Sequence, residues 1–421
     1  MSGADRISPA RPLSVLYSFP QRLGLPGVGT TAWHQVAGVV ERGLRVTLFC
    51  GSCERPVPGV HRVVQTMKLG PIPLSYRLLG HDRAMAWHDW LVARALWRLK
   101  HEIDLVHCWP SGALHTLRAA NRAGVANVLE RPSAHTAQVF ESVAKETAKL
   151  GMQMDPTHYA FANQARLAHE QAEFEQAQCL LCPSEFAERT FLERGFRRQQ
   201  LCRHGYGFDP SVFSTPSATA ARPSGKPFTA VFVGECFPLK GLHVALEAWH
   251  KSGAAATGKF YICGQFMPAY REALSDLLAH PSVEALGFVS DVADVMRKGD
   301  VLVLPTVSEG SALVTYEARA CGLVLMVSAA SGARCKHGDD AMVHEPGDVG
   351  ALAEQMAQLA GDPALLARLR ERSIAGLEPL TWASAAERLH RIYEEVASAS
   401  SRAAEAVDGP ELSAAGVEYR T

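Results

Sequence analysis

Two glutamates, Glu309 and Glu317, stand eight positions apart in a stretch whose residue types suit a polyhydroxylated substrate. A carboxylate accepts two hydrogen bonds well, so Glu317 fits a vicinal diol such as a ribose. Glu309 lies nearer the expected reaction centre. By residue type alone, two surface glutamates flanking a helix is the plainer reading. Lys240 precedes Gly241 near a predicted helix start, where an ammonium and a helix dipole can act together on a diphosphate. The plain alternative is an exposed lysine. His107 and His135 fall at predicted strand ends, where an imidazole can donate to a hydroxyl or a phosphate. For His107 a satisfied structural histidine weighs equally. Two pairs with C-x-x-C spacing, Cys50/Cys53 and Cys179/Cys182, invite a zinc reading. However, Cys179–Cys182 reads as a buried strand, and positions three apart on a strand face opposite ways. Buried free cysteines behave as small hydrophobes, and that role is preferred here.

These residues need elements to hold them. Val301–Leu304 is a predicted strand that Pro305 stops. A polar loop follows, with Glu309, Gly310, Ser311 and Ala312. Leu313, Tyr316, Glu317 and Ala320 then recur at helical spacing, and Leu323–Val327 is a second strand. A strand–loop–helix–strand unit belongs to a parallel sheet, and its loop lies at the carboxyl end, where such sheets place ligands. The pattern also occurs earlier. A strand Val15–Phe19 leads through a loop with Gly24, Gly27 and Gly29 to a helix starting at Thr31. Its glycines would let the backbone approach a ligand, although a plain tight turn explains them equally well. Phe228–Val233 is a strand followed by Gly234, Glu235 and Lys240.

The block around Glu309 and Glu317, set between LVLPTVS and ARACG, resembles the E-x7-E element of family-4 glycosyltransferases of the GT-B fold. Lys240-Gly241 matches the Lys-Gly of that family, and Tyr206-Gly207-Phe208-Asp209 resembles its Asn-Gly-Val-Asp turn. Glu235 stands where the family usually carries a phosphate-binding arginine, and Tyr206 where it carries asparagine. The resemblance covers residues 13–396. It implies an α/β chain of two Rossmann-like, doubly wound domains facing a cleft. Residues 1–12 would be a disordered lead, 13–213 the acceptor domain, 214–226 a linker and 227–380 the nucleotide-sugar domain. A helix over 381–397 would cross back, and 398–421 would be a disordered tail.

The resemblance also implies the chemistry, retaining transfer of a sugar from a nucleotide diphosphate sugar to a hydroxyl acceptor. Glu309, His135 and Lys240 would be catalytic. Glu317, Lys240, Gly234, Glu235, Gly310, Ser311, Ala312, Leu313 and Gly29 would hold the donor. Gly27, Thr30 and His107 would lie on the acceptor side, and Arg334 and Lys336 could also reach phosphate. No acidic D-x-D-type motif is present, so neither metal nor cofactor is required. Two rival readings stay open: a catalytically silent sugar-nucleotide sensor, motivated by Glu235 and Tyr206, and an NAD-dependent oxidoreductase. Against the latter, no G-x-G-x-x-G follows a strand with an acidic residue about 20 positions on.

Composition bounds the rest. The 421 residues suggest two domains or more, and 47% hydrophobic residues can bury a large core. A formal net charge of −1 excludes a general nucleic-acid binder. With no apolar signal core and no run long enough to span a bilayer, the sequence reads as soluble and cytoplasmic. Residues 60–100 carry seven Lys/Arg against two Asp, together with Trp87, Trp90 and Trp97. The preferred reading is a core-facing stripe with a charged edge. A basic, aromatic helix can also dock on anionic lipid, which leaves peripheral membrane contact open. The donor's base and sugar, the acceptor and the oligomeric state have no signature in the sequence.

Overall fold

The computed structural model describes residues 11–69, 72–74, 79–215 and 225–407. The expected lead therefore lies almost wholly outside the described residues, as does most of the expected linker. Two parallel sheets dominate. The first contains β1 (Ser14–Leu23), β2 (Arg45–Cys53), β3 (Arg62–Gln65), β6 (Leu105–Cys108), β7 (Ala126–Glu130), β8 (Cys179–Cys182) and β9 (Leu201–Arg203). Its order is β3-β2-β1-β6-β7-β8-β9, and β4 (Lys68–Leu69) and β5 (Ile72–Pro73) form a separate two-stranded ribbon. The second sheet contains β10 (Thr229–Val233), β11 (Lys259–Cys263), β12 (Val283–Gly287), β13 (Val301–Leu304), β14 (Val324–Ser328) and β15 (Ala341–His344), in the order β12-β11-β10-β13-β14-β15. Central strands such as VLVL and VLMVS are buried throughout because helices cover both faces of each sheet.

Strand order reverses between β1 and β6 in one sheet and between β10 and β13 in the other. Crevices open at such switch points, outside the carboxyl ends of the strands. The two switch points face each other, as the expected two-domain cleft requires.

The last helix, Trp382–Val407, returns to the first domain: Leu389, Ile392 and Tyr393 pack in its core against Val36 and Val39. It continues ten residues beyond 397, so the expected tail begins as helix, in an alanine-rich sequence that favours helix locally. Residues 408–421 lie outside the described residues.

The domains touch through a small apolar cluster, with Val139, Val143 and Ala160 of the first meeting Phe237, Leu239 and Val307 of the second. Polar contacts flank it. Glu146 reaches His243 at 3.0 Å, and the Ser184 hydroxyl donates to the Gly310 carbonyl. Gly310 must be glycine, because a β-carbon there would lie 2.0 Å from the Pro132 carbonyl oxygen. This close approach presses the Glu309 loop against the first domain.

Among the described residues no helix is long and apolar enough to cross a membrane.

Candidate active site

A cavity of about 590 Å3 lies between the facing switch points. Gln21 lies near the carboxyl end of β1 and Gly27 after it, and Pro110 and Ser111 follow β6. From the second domain come Leu239 and Lys240 after β10, and Glu309, Ser311 and Leu313 after β13. Arg131, Pro132, Ser133 and Thr136, after β7, close one wall. The volume suits a small polar ligand and part of a second one.

Lys240 and Glu309 form an ion pair on the cavity wall, both partly exposed. Lys240 ends a short 3-10 turn, Pro238–Lys240, that Gly241 converts into the helix Leu242–Lys251. Gly241 has φ 71°, and a β-carbon there would sit 2.1 Å from the Pro305 carbonyl oxygen. Only glycine brings the turn this close to the end of β13, and that contact aims Lys240 at the Glu309 loop. The pair is one cation and one carboxylate at the edge of a helix start. A diphosphate could take the ammonium, and the freed carboxylate would then face a sugar.

The opposite wall holds a buried charge cluster. Arg131 donates to Glu170 at 3.0 Å, to the Ala134 carbonyl and to Thr136. Arg166 donates to the other Glu170 oxygen at 2.8 Å, and Thr136 also bonds Glu170. Burial would raise the Glu170 carboxyl, but the two guanidiniums outweigh it and hold the group down at about 2. Phe140 and Tyr159 add aromatic surface. Arg131 sits in the loop whose sequence was already placed at a strand end. Glu170 carried only the signal of lying four positions after Arg166 on a helix. That spacing marks a pair but not its burial.

The structure relocates several expected residues. His135 is not on the cavity: it caps the helix Thr136–Lys149, accepting from Ala137 N–H, and its ring packs among Phe174, Phe191 and Phe196. The next backbone turn sends Thr136 rather than His135 inward, and burial pushes the imidazole down to about 3. His107 is fully buried within the first domain, its Nδ1 2.6 Å from the Tyr393 hydroxyl and its Nε2 3.6 Å from Glu130. Burial raises Glu130 to about 7, while hydrogen bonds from Gln35 and Tyr206 oppose that shift. Tyr206, in the asparagine position, thus spans this network and the cavity wall.

Gly27 does line the cavity. Gly29 does not; it lies in the first turn of the helix Val28–Glu41, against the Arg22 carbonyl. The helix starts three residues earlier than expected, so Thr31 rather than Thr30 faces the cavity, while Thr30 bonds back to the Leu25 carbonyl. Ser311 and Leu313 line it, but the Ala312 N–H is already given to the Ser331 carbonyl. Arg334 faces a different, larger cavity of about 850 Å3 with Arg203 and Arg388, and bonds the Pro379 carbonyl. The Lys336 backbone binds Asp340, and its side chain is not on the Lys240 cavity. The larger cavity holds neither Lys240 nor Glu309, so the smaller one is the candidate site.

Gly234 lies next to the Lys240 side chain. Glu235 is exposed and reaches His158 of the first domain at 3.4 Å. Glu317 sits one turn into the helix Leu313–Ala320, off the cavity lining. Burial raises its carboxyl to about 7.

Of the first C-x-x-C pair Cys50 is buried and Cys53 half-buried. Cys179 and Cys182 are buried on β8. Among the described residues no group of three or more His, Cys, Asp or Glu could hold a metal ion.

Two family models match: a glycosyl transferase 4-like domain over residues 26–207 and the glycosyl transferases group 1 over residues 227–362. A D-inositol 3-phosphate glycosyltransferase of Rhodococcus opacus is 24% identical, covering 91% of this chain and 90% of that protein. Another, of Thermobispora bispora, is 28% identical over 45% of this chain, and that match spans about half of the relative, 49%. Among solved structures, the sucrose-phosphate synthase of Thermosynechococcus elongatus matches with TM-score 0.69 at 20% identity, over 92% of this chain and 100% of that one. The Anabaena protein HepE, solved with UDP-glucose, matches with TM-score 0.63 at 16% identity, over 91% and 100%. With the two domain models laid end to end across its two sheets, the chain belongs to the family-4 glycosyltransferases of the GT-B fold.

Proposed function

We propose that the enzyme transfers a sugar from a nucleotide diphosphate sugar to a hydroxyl acceptor with retention of anomeric configuration. The observation that carries this reading is the Lys240–Glu309 pair, set where both switch points open onto one cavity. As the glycosidic bond breaks, charge grows on the departing diphosphate. A fixed ammonium at a helix start then stabilises the transition state more than the ground state. The carboxylate released from Lys240 lies against the sugar. Most of the remaining catalysis would be positional, with donor and acceptor held in one cavity. The HepE structures, solved with UDP and with UDP-glucose, support a nucleotide-sugar donor.

Thermal-shift screening of sugar nucleotides tests the reading. The true donor at 100 times its dissociation constant should add ~2.7 kcal/mol, and mixing with acceptors should release nucleoside diphosphate. Failure of every sugar nucleotide to bind would overturn it, and binding without transfer or slow hydrolysis would favour the silent sensor.

Three further results are expected. Transfer should survive excess chelator, since Lys240 supplies the cation; a complete loss restored by magnesium or manganese would refute metal independence. If Glu317 holds the ribose diol, it must be ionised to do so. Burial pushes its carboxyl up to about 7. Donor affinity should therefore rise with pH through about 7 and level off above. Glu317→Gln should abolish that dependence and weaken donor binding roughly 10- to 100-fold, the ~1.5–3 kcal/mol of a charged hydrogen bond. Calorimetry across pH decides, and unchanged affinity in the folded variant would remove Glu317 from the site. Finally, Glu235→Arg restores the usual family cation beside Gly234. It loses only an exposed contact to His158, worth ~0–1 kcal/mol at most. Donor binding should tighten about tenfold, one charge-assisted bond's worth; weaker binding would mean that the Glu235 contact itself serves the donor.

A further inference from the structure

Of the three tryptophans that the sequence suggested as a core stripe, the helix His81–Leu99 tucks in only Trp87, which packs against Met67, Ala84 and Met85. The helix's buried face is Ala84, Met85, His88, Asp89, Val92 and Leu96. Trp90 and Trp97 project outward, 42% and 53% exposed. The reason lies in the neighbour: Asp89 is drawn inward to cap the adjacent helix Leu114–Ala123, accepting from the His115 and Thr116 N–H groups. That rotation turns the tryptophan side to solvent.

The exposed face is chemically uniform. Arg94 and Arg98 of the first helix, and Arg118 and Arg122 of the second, surround Trp90 and Trp97 along a shallow groove. No acidic residue lines this groove. Among the described residues none of the four arginines makes an ion pair, although arginines elsewhere on this protein commonly do. The Arg94 guanidinium lies 4.7 Å from the Trp90 ring centre, and the Lys100 ammonium 4.2 Å from that of Trp97. The indole N–H groups of Trp33, Trp87, Trp109 and Trp249 each donate within the protein. Those of Trp90 and Trp97 find no acceptor among the described residues, nor does that of the buried Trp382; only Trp90 and Trp97 hold theirs at an exposed face.

We infer that this face, formed by residues 81–99 and 114–123, docks on an anionic membrane surface. A half-exposed indole with an unused N–H fits the boundary between acyl chains and headgroups. Unpaired arginines beside it complement lipid phosphates bidentately. The chemistry is spread over the outward faces of two adjacent helices, not along a channel that could track a nucleic-acid backbone. The position is also apt: the same helix begins at His81, which lines the reaction cavity. If the transfer reading holds, a membrane on this face lies beside the acceptor side. Docking itself does not depend on that reading.

Each basic side chain near an anionic leaflet contributes about fivefold in partitioning, so four set an upper limit on the order of several hundredfold. The test uses the full chain and vesicles of phosphatidylcholine, with or without about a third phosphatidylglycerol. Anionic vesicles should sediment the protein at least about tenfold more strongly, and high salt should reverse this. Trp90→Ala with Trp97→Ala, and separately Arg94→Glu with Arg118→Glu, should each reduce binding about tenfold or more at an unchanged thermal midpoint. Brominated lipid should quench tryptophan fluorescence in the parent and not in the double tryptophan variant. Equal binding to neutral vesicles, no vesicle binding, undiminished binding by either variant, or capture of RNA without vesicles would each overturn the proposal.

Discussion

Replacing Lys240 with alanine is expected to lower turnover about a hundredfold, the equivalent of ~2.7 kcal/mol of transition-state stabilisation. Donor binding should weaken much less, because the diphosphate gains its full charge only as the glycosidic bond breaks. The pairing of Lys240 with Glu309 sharpens the expectation. Without donor, Glu309 holds the ammonium in place; with donor, the ammonium must exchange partners. Glu309→Gln should therefore also lower turnover, while leaving donor binding equal or tighter, since the lysine is no longer held by a competing carboxylate. Both side chains are partly exposed, so neither change should unfold the protein. Steady-state kinetics and calorimetric donor titration on the two variants separate these effects. Parent-like turnover in Lys240→Ala would show that the lysine is only a surface cation.

The second large effect concerns stability. Glu170→Gln keeps the shape of the side chain but leaves Arg131 as a buried cation without its carboxylate. Breaking one half of a buried pair costs ~3–5 kcal/mol. In a domain of this size that corresponds to a loss of roughly 6–20 °C in the midpoint of the first domain. The reverse change, Arg131→Met, should cost less. Glu170 would still be bonded by Arg166, Thr136 and Ser111. The double variant should recover part of the Glu170→Gln loss, because no lone buried charge remains. The sign of the acid response follows from the same group. Glu170 is held at about 2 against an ordinary value of 4.5. Its stabilising contribution is therefore complete above 4.5 and is lost as the pH falls from there towards 2. Thermal unfolding from pH 6 to 3 should show a steeper decline in the parent than in Glu170→Gln. Parallel curves would show that this carboxylate does not carry the acid response.

How much of this protein was legible beforehand follows from the range of the forces involved. Apolar strands bounded by glycine and proline, helices with 3.6-residue periodicity and helix caps at Ser184 and Asp348 are local features, and all are found. The two sheets follow from such repeats. Lys240 and Glu309 were readable because each belongs to a short motif whose backbone geometry is set within a few residues, Gly241 in one case and Pro305 in the other. His135, Gly29 and Thr30 were misplaced by shifts of one or two residues. On a turn or helix start, one residue of register rotates a side chain by about 100° and exchanges cavity for core. His107 sits at a strand end as expected, but only the returning helix, with Tyr393, closes over it.

The tertiary structure alone decided three things. It buried the Arg166–Glu170 pair and brought Arg131 to it from another segment, because a carboxylate's partner across a domain leaves no periodic trace. It set Gly310 against Pro132, a close approach between domains that no single segment encodes. It also turned the tryptophan side of the helix His81–Leu99 outward, because burying Asp89 against the helix Leu114–Ala123 satisfies two orphan N–H groups that apolar packing could not.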